Sequence, residues 1–248
     1  MVTMHPRGWV WNGEEFRDQA WVTFYLYQSG HSDVEERVRW LPDGPAAHDW
    51  RTEPPRPIIN AEPNYEDHPS YASGIRFTDH EVRRASYWSM LVTPTAGVTY
   101  GHFSLWAWAS EGERVGQAIP RQADYLLEPW STVLDTPGAR SFSIMRRYFE
   151  SGSWWLLRPT QELLLEQPGA DDARHFVTAA STPVGDWTVV YAPTGGPIRL
   201  RGNAGSLGSA RWFDPRAGFW RAASSVADGQ GLTFSAPDRD DWVLDLRR

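Results

Sequence analysis

Along the first 155 residues, short apolar runs alternate with stretches whose apolar residues recur at helical spacing. Met1–His5 and Trp21–Gln28 read as strands, the second rich in β-branched and aromatic residues; Asp33–Leu41 reads as a helix and Pro57–Ala61 as a third strand after a Pro-rich loop. Thr78 and Glu81 stand at the Ser/Thr-x-x-Glu spacing of a capping box, in which each side chain satisfies a free backbone donor of the other. A helix is expected from there to about Val92, with Val82, Ala85, Ser86 and Met90 on its apolar face. Gly97–Tyr100 supplies a fourth strand, an aromatic loop follows, and Ala139–Glu150 reads as a helix with Phe142, Met145 and Phe149 on one face. Such alternation favours parallel strands joined by crossovers, with functional loops after the strands' carboxyl ends.

Beyond Trp154-Trp155 and the Gln167-Pro168-Gly169 break, the period shortens to two. Phe176–Ala180, Trp187–Ala192, Pro197–Arg201, Ala210–Phe213, Gly218–Ala222, Leu232–Ser235 and Trp242–Leu246 read as seven strands of a small β-sandwich punctuated by Gly, Pro and Asp turns. The expected fold class is therefore α/β followed by all-β, with domains over residues 1–160 and 165–248 and their boundary near 160–172.

Composition narrows the chemistry. The 41% apolar and 22% charged content is that of a folded chain. A net charge of −7 with scattered basic residues offers no footprint for nucleic acid or an anionic membrane, so a neutral partner is expected. The absence of cysteine excludes disulfides, thiolate metal sites and a cysteine nucleophile. No signal peptide and no run of about 18 apolar residues is present, and the compartment stays unassigned. Fifteen Trp, nine Tyr and ten Phe, many beside Gly, His, Asn and Gln, suit sugar rings, whose C–H faces stack on aromatics while their hydroxyls need polar partners; large rings equally fill cores.

Four segments fall where strand-end loops should be: His5-Pro6-Arg7-Gly8, Tyr27-Gln28-Ser29-Gly30-His31, Ile58 through Glu66, and Tyr100-Gly101-His102 running on to Trp106 and Trp108. Glu62 leaves an apolar strand directly, as a carboxylate held beside an anomeric carbon would; a solvated loop glutamate is the other reading. Glu66 and Asp67 read as solvated or turn-forming. His5, His31 and His102 suit either hydroxyl binding or packing at the sheet's rim. No metal is expected, because no ligand spacing rule is met, and no cofactor motif occurs. A serine hydrolase is disfavoured by the lack of a Gly-x-Ser-x-Gly elbow. If extended, Trp106 and Trp108 share a face and form a platform for a sugar ring; otherwise they pack between domains.

In these segments, and in Arg83-Arg84-Ala85-Ser86-Tyr87-Trp88, the chain resembles the apiosidase-like family of glycoside hydrolases. Ala210 through Gly218 and Pro237 through Leu244 resemble the all-β domain that follows in this family and is named for collagen binding. The resemblance implies a (β/α)8 barrel of which this chain holds strands 5–8, a partial TIM barrel followed by a β-sandwich. It also implies hydrolysis of O-glycosidic bonds in a carbohydrate, with Glu62 matching the nucleophile and the acid/base carboxylate lying in the first four strands. His5, Gln28, His31, Asn60, Tyr65, Tyr100, His102, Trp106 and Trp108 would then shape the sugar site. On this reading the chain is a truncated form, impaired alone, that pairs with the other half-barrel or with itself, since a half-barrel leaves strand edges open. The alternative is a non-catalytic carbohydrate- or matrix-binding protein.

Overall fold

The computed structural model describes residues 1–51, 54–113, 126–202 and 208–248. In chain order the first part comprises β1 (Val10–Trp11), α1 (Asn12–Glu15), β2 (Tyr25–Gln28), α2 (Glu35–Asp43), α3 (Pro45–His48), β3 (Ile58–Glu62), α4 (Asp79–Leu91), β4 (Thr95–Val98), α5 (Phe103–Trp106) and α6 (Pro137–Phe149). The strands form one sheet in the order β1-β2-β3-β4. β2, β3 and β4 run parallel, as the strand–helix alternation requires, and β1 is antiparallel to β2.

The start of the chain departs from expectation. Met1–His5 is not a strand; it lies beside residues 23–24 through side-chain bonds, Val2 N–H donating to Thr23 Oγ1 and Thr3 Oγ1 to the Phe24 carbonyl. One backbone bond, Thr23 N–H to the Val2 carbonyl at 2.8 Å, also joins them, and threonine hydroxyls supply the rest in place of a continued ladder. Trp9 then enters the left-handed region (φ 59°) and turns the chain so that Val10 and Trp11 pair back on β2.

α4 opens on the capping box: Thr78 Oγ1 accepts the His80 N–H, and Glu81 Oε2 accepts the Thr78 N–H at 2.9 Å. The expected single apolar face is wrong, however, because every residue from Val82 to Leu91 is buried, Arg83 and Arg84 included. The reason is a second layer packed on its other side.

That layer is the second part of the chain: β5 (Arg158–Pro159), β6 (Thr178–Ser181), β7 (Trp187–Ala192), β8 (Pro197–Arg201), β9 (Ser209–Phe213), β10 (Trp220–Ala222), β11 (Ser225–Ala227), β12 (Gly231–Ser235) and β13 (Trp242–Arg247). These make a six-stranded antiparallel sheet, β10-β9-β13-β7-β6-β5, and a three-stranded one, β11-β12-β8. β5 and β11 were not among the seven strands read from the sequence, being two and three residues long. The larger sheet is buried on both faces. Trp187, Val189, Tyr191 and Val243 join the core around α4 and α6, whereas Val190, Ala192, Trp242 and Leu244 face the smaller sheet. Period two along β7 and β13 thus serves two cores at once.

Polar clamps cross the junction. Arg83 of α4 donates from Nε and Nη2 to the two oxygens of Asp241 at 2.9 and 3.0 Å. Tyr148 of α6 donates to Asp245 at 3.0 Å, Trp88 Nε1 donates to the Phe176 carbonyl, and Tyr87 stacks on Tyr191 at 4.7 Å. Among the described residues no helix is long and apolar enough to cross a membrane.

Candidate active site

Glu62 is the last residue of β3, and its side chain is 17% exposed: neither free in solvent nor sealed beneath the sheet. His31 Nδ1 accepts the Tyr65 N–H at 3.3 Å, so its proton sits on Nε2, which donates to Glu62 Oε1 at 3.0 Å. His5 Nε2 stands 3.3 Å from Oε2, and Gln28 hydrogen-bonds the same carboxylate. His31 and Gln28 thus hydrogen-bond the carboxylate from the protein side, while His5, whose Nδ1–H donates to the Pro6 carbonyl, adds an ion-pair contact.

Burial is the largest single influence on Glu62 and opposes its ionisation. The hydrogen bond and charge of His31, with the charge of His5 and the Gln28 bond, together outweigh it and hold the carboxyl below its ordinary 4.5. For His31, burial comes first and lowers its pKa below 6.5 despite Glu62. A protonated His31 beside an ionised Glu62 and a depressed His31 pKa pull in opposite senses. The ring is almost wholly buried and its Nδ1 is an acceptor, so the neutral Nε2–H form is the consistent one: a neutral donor on an ionised carboxylate.

The loop after Glu62 continues the wall. His31 stacks on His68 at 4.1 Å and meets Tyr65 at 4.5 Å and Tyr71 at 5.8 Å. Burial, then the Glu62 charge, push the Tyr65 phenol up to about 12. His68 donates Nδ1–H to the Pro69 carbonyl, and burial with His31 nearby lowers its pKa to about 3. Trp9 lies across Gly30, whose φ of +72° and lack of a side chain admit the indole; a Cβ there would sit 2.7 Å from the ring. Tyr65 lies as closely against Gly101, where a Cβ would meet the ring at 2.1 Å. Trp9, His68 and Tyr71 were not singled out from sequence. Trp9 directly follows the His-Pro-Arg-Gly segment and His68 sits six residues past Glu62, a proximity that could have pointed to them.

His5, Gln28, His31 and Tyr65 therefore gather around Glu62, and other expected site residues do not. Asn60 is fully buried; its Nδ2 donates to Ser29 Oγ and to Ser89 Oγ of α4, and its Oδ1 accepts the Glu62 N–H. It faces the helix layer with Ile58, and Glu62 two residues on leaves that face because the β2–β3 register shifts between Asn60 and Glu62, with Ala61 as the extra residue; Asn60 thus braces Glu62 from behind and is out of reach of a ligand. Tyr100 is tied to Glu66 and Thr136, and His102 caps α5, its Nδ1 accepting the Ser104 N–H. Glu66 itself is 7% exposed, contrary to the solvated reading. It accepts bonds from Tyr100, Thr136 and the Gly138 N–H in the first turn of α6, where unpaired donors and the helix dipole favour a carboxylate. Asp67 does form a turn (φ 62°), paired with Arg76. A cavity of about 710 Å³ beside Glu66 and His102 is separate, since Glu62 does not line it.

The extended Trp106–Trp108 platform is also overturned. Residues 103–106 are helical, so the two rings do not share a face: Trp106 stacks on Phe103 and Trp108 on Trp130, with 57% and 66% exposure. Among the described residues, no group of three or more His, Asp or Glu is placed to hold a metal ion.

The family model described as "Apiosidase-like, catalytic domain" matches residues 1–156, more than half of the chain. The chain belongs to the apiosidase-like family. A second model, "Putative collagen-binding domain of a collagenase", matches residues 158–247 of this apiosidase-like chain. Two solved structures share its fold: one titled "Glycoside hydrolase", 24% identical with a TM-score of 0.77, and a glycoside hydrolase family 5 protein from Bacteroides vulgatus ATCC 8482, 23% identical with a TM-score of 0.75. Each covers 98% of this chain, and the chain spans 56% and 55% of their lengths. No curated protein matches it. The apiosidase-like chain thus has a glycoside hydrolase-type fold, mixed α/β in its first part and sheet-rich in its second.

Proposed function

We propose that this chain carries the nucleophile of a retaining glycoside hydrolase acting on carbohydrate, with Glu62 in that role. The observation that supports this most is the state of Glu62: a carboxylate at a strand's carboxyl end, held ionised by donors behind it and open on its remaining side. A proton donor in such chemistry needs a raised pKa, and a nucleophile needs the reverse. In the proposed reaction a Glu62 oxygen attacks the anomeric carbon as the bond to the leaving oxygen breaks and that oxygen takes a proton. Water then attacks the same carbon and releases Glu62 as carboxylate. His31 and Gln28 hold the carboxylate, while His5, Tyr65 and Tyr71 face the sugar. Among the described residues no second carboxylate is bonded to Glu62 or its partners, and we assign the proton donor to the whole hydrolase, of which this site is one half.

We read β2 to β4 with their helices as part of a (β/α)8 barrel, residues 1–160 as the catalytic domain and 165–248 as a β-sandwich. The β-sandwich supports the barrel, a role favoured by the buried Arg83–Asp241 and Tyr148–Asp245 clamps. A dinitrophenolate leaving group departs without a proton donor. From a panel of dinitrophenyl glycosides including an apioside, this chain should therefore release a burst with one sugar, and Glu62→Gln should lower it roughly 10³-fold or more. An undiminished burst from a folded Glu62→Gln protein would remove Glu62 from the role. The second reading, a non-catalytic carbohydrate binder, is favoured by the exposed indoles of Trp106 and Trp108. Oligosaccharide binding without a burst from any activated glycoside would select it.

A further inference from the structure

The end of the sheet opposite Glu62 holds a second concavity, of about 560 Å³, where Pro57 leads into β3 and Pro94 into β4. Glu62 lies four residues along β3 from its floor at Ile58, roughly 13 Å away. Three arginines, Arg51, Arg56 and Arg158, line it together with Trp50, and no described carboxylate does. The chain's formal charge is −7 and it contains no lysine, so three arginines lining one cavity run against its general balance.

None of the three forms an ion pair among the described residues. Arg56 donates to the Phe16 and Gln19 carbonyls and to the Tyr25 hydroxyl; Arg158 donates to the Trp155 and Leu157 carbonyls; Arg51 lies 4.2 Å over the Trp50 ring. Carbonyls, a phenol and an indole fix these side chains without cancelling their charge, and each guanidinium keeps donors to spare. Like charges held together in this way repel one another until an anion enters, and a pre-held planar fork matches carboxylate or phosphate oxygens.

A neighbouring cavity of about 240 Å³ shares Trp50 and Arg51; it is lined by the carboxylates of Asp43 and Glu162, which suit hydroxyl donors rather than an anion, and by Gln161, whose amide nitrogen and oxygen are both buried without a partner. Unpaired buried amide atoms are uncommon and call for a ligand or water that both donates and accepts, as a hydroxyl does.

We propose that these joined cavities bind a small hydroxylated anion, a sugar carrying a carboxylate or a phosphate. The guanidinium groups take the anionic end, Trp50 the ring face and Gln161 the hydroxyls. The proposal is independent of the role of Glu62. Isothermal titration of the whole chain with galacturonate, glucose 6-phosphate, inorganic phosphate and neutral galactose tests it. Saturable binding of one of the two acidic sugars is expected, and whichever binds more tightly identifies the anion. Arg158→Gln and Arg51→Gln should each weaken it roughly tenfold, and Gln161→Ala should weaken the sugar but not inorganic phosphate. Arg51 makes no hydrogen bond among the described residues, so its variant keeps the test valid if Arg158→Gln is unstable. Absence of saturable binding, galactose binding as tightly as the acidic sugars, or affinity unchanged in Arg51→Gln would overturn the site. Inorganic phosphate matching both sugars in a Gln161-insensitive way would overturn the hydroxylated ligand.

Discussion

The two halves of the molecule both bury carboxylates, and they treat them differently. In the β-rich half, Asp241 and Asp245 are wholly inaccessible and held by side chains on several sides: Asp241 by Arg83 and Tyr191, Asp245 by Tyr148, Trp187 and Arg247. In the α/β half, Glu62 meets two imidazoles and an amide and keeps one side open. A carboxylate bonded to buried side chains and with no exposure can only hold the fold together. One braced from behind and partly exposed keeps an oxygen available, as the proposed nucleophile requires.

That contrast can be broken most severely at Asp241. Replacing it by Asn leaves the Arg83 guanidinium buried against a neutral amide, and breaking a buried pair this way costs about 3–5 kcal/mol, read as a lower urea midpoint at unchanged slope. Glu62→Gln, by comparison, should leave the midpoint nearly where it was; equal destabilisation by the two variants would erase the distinction drawn between them. The next effect concerns pH. Burial and His31 hold His68 at about 3, so between that value and 6.5 the unfolded chain binds a proton that the folded chain refuses. Its contribution is complete above about pH 6.5 and is lost as pH falls through that window, about 2–3 kcal/mol by roughly pH 4.5. His68→Phe keeps a ring against His31 and Phe103 but removes the titration, so the acid slope of the melting temperature should flatten; an unchanged slope would show that His68 is not held neutral. The smallest expected effect is at the α4 cap, where Thr78→Ala should cost about 1 kcal/mol with the burst from activated glycosides intact.

Much of the architecture was legible where a local rule decides the outcome. β7 and β8 begin and end where alternation and their turns place them, and the Thr78–Glu81 spacing fixes the start of α4. β1, β5 and β11 are too short to show a period, and Met1–His5 failed because a single backbone bond, with threonine side chains for the rest, stands in for its ladder. The site was legible in part for the same reason. Strand-end position pointed to Glu62 and to the loops carrying His5, Gln28, His31 and Tyr65. Asn60 belongs to the helix layer and parts from Glu62 only through an irregularity in the β2–β3 register, and Glu66 is claimed by α6, which begins 71 residues later in the chain. Nothing local announces such a long-range contact. The burial of Arg83 and Arg84 likewise depends on the β-rich half folding over α4.

The most direct test of the central claim is chemical trapping. A 2-deoxy-2-fluoro glycosyl fluoride of the sugar that gives the burst forms its ester quickly and loses it slowly, so peptide mass spectrometry of the treated chain can locate the attached sugar. The account predicts one added glycosyl group, on Glu62, and none on the Glu62→Gln protein. A label on Glu66 or on any other residue, with Glu62 unmodified, would contradict it.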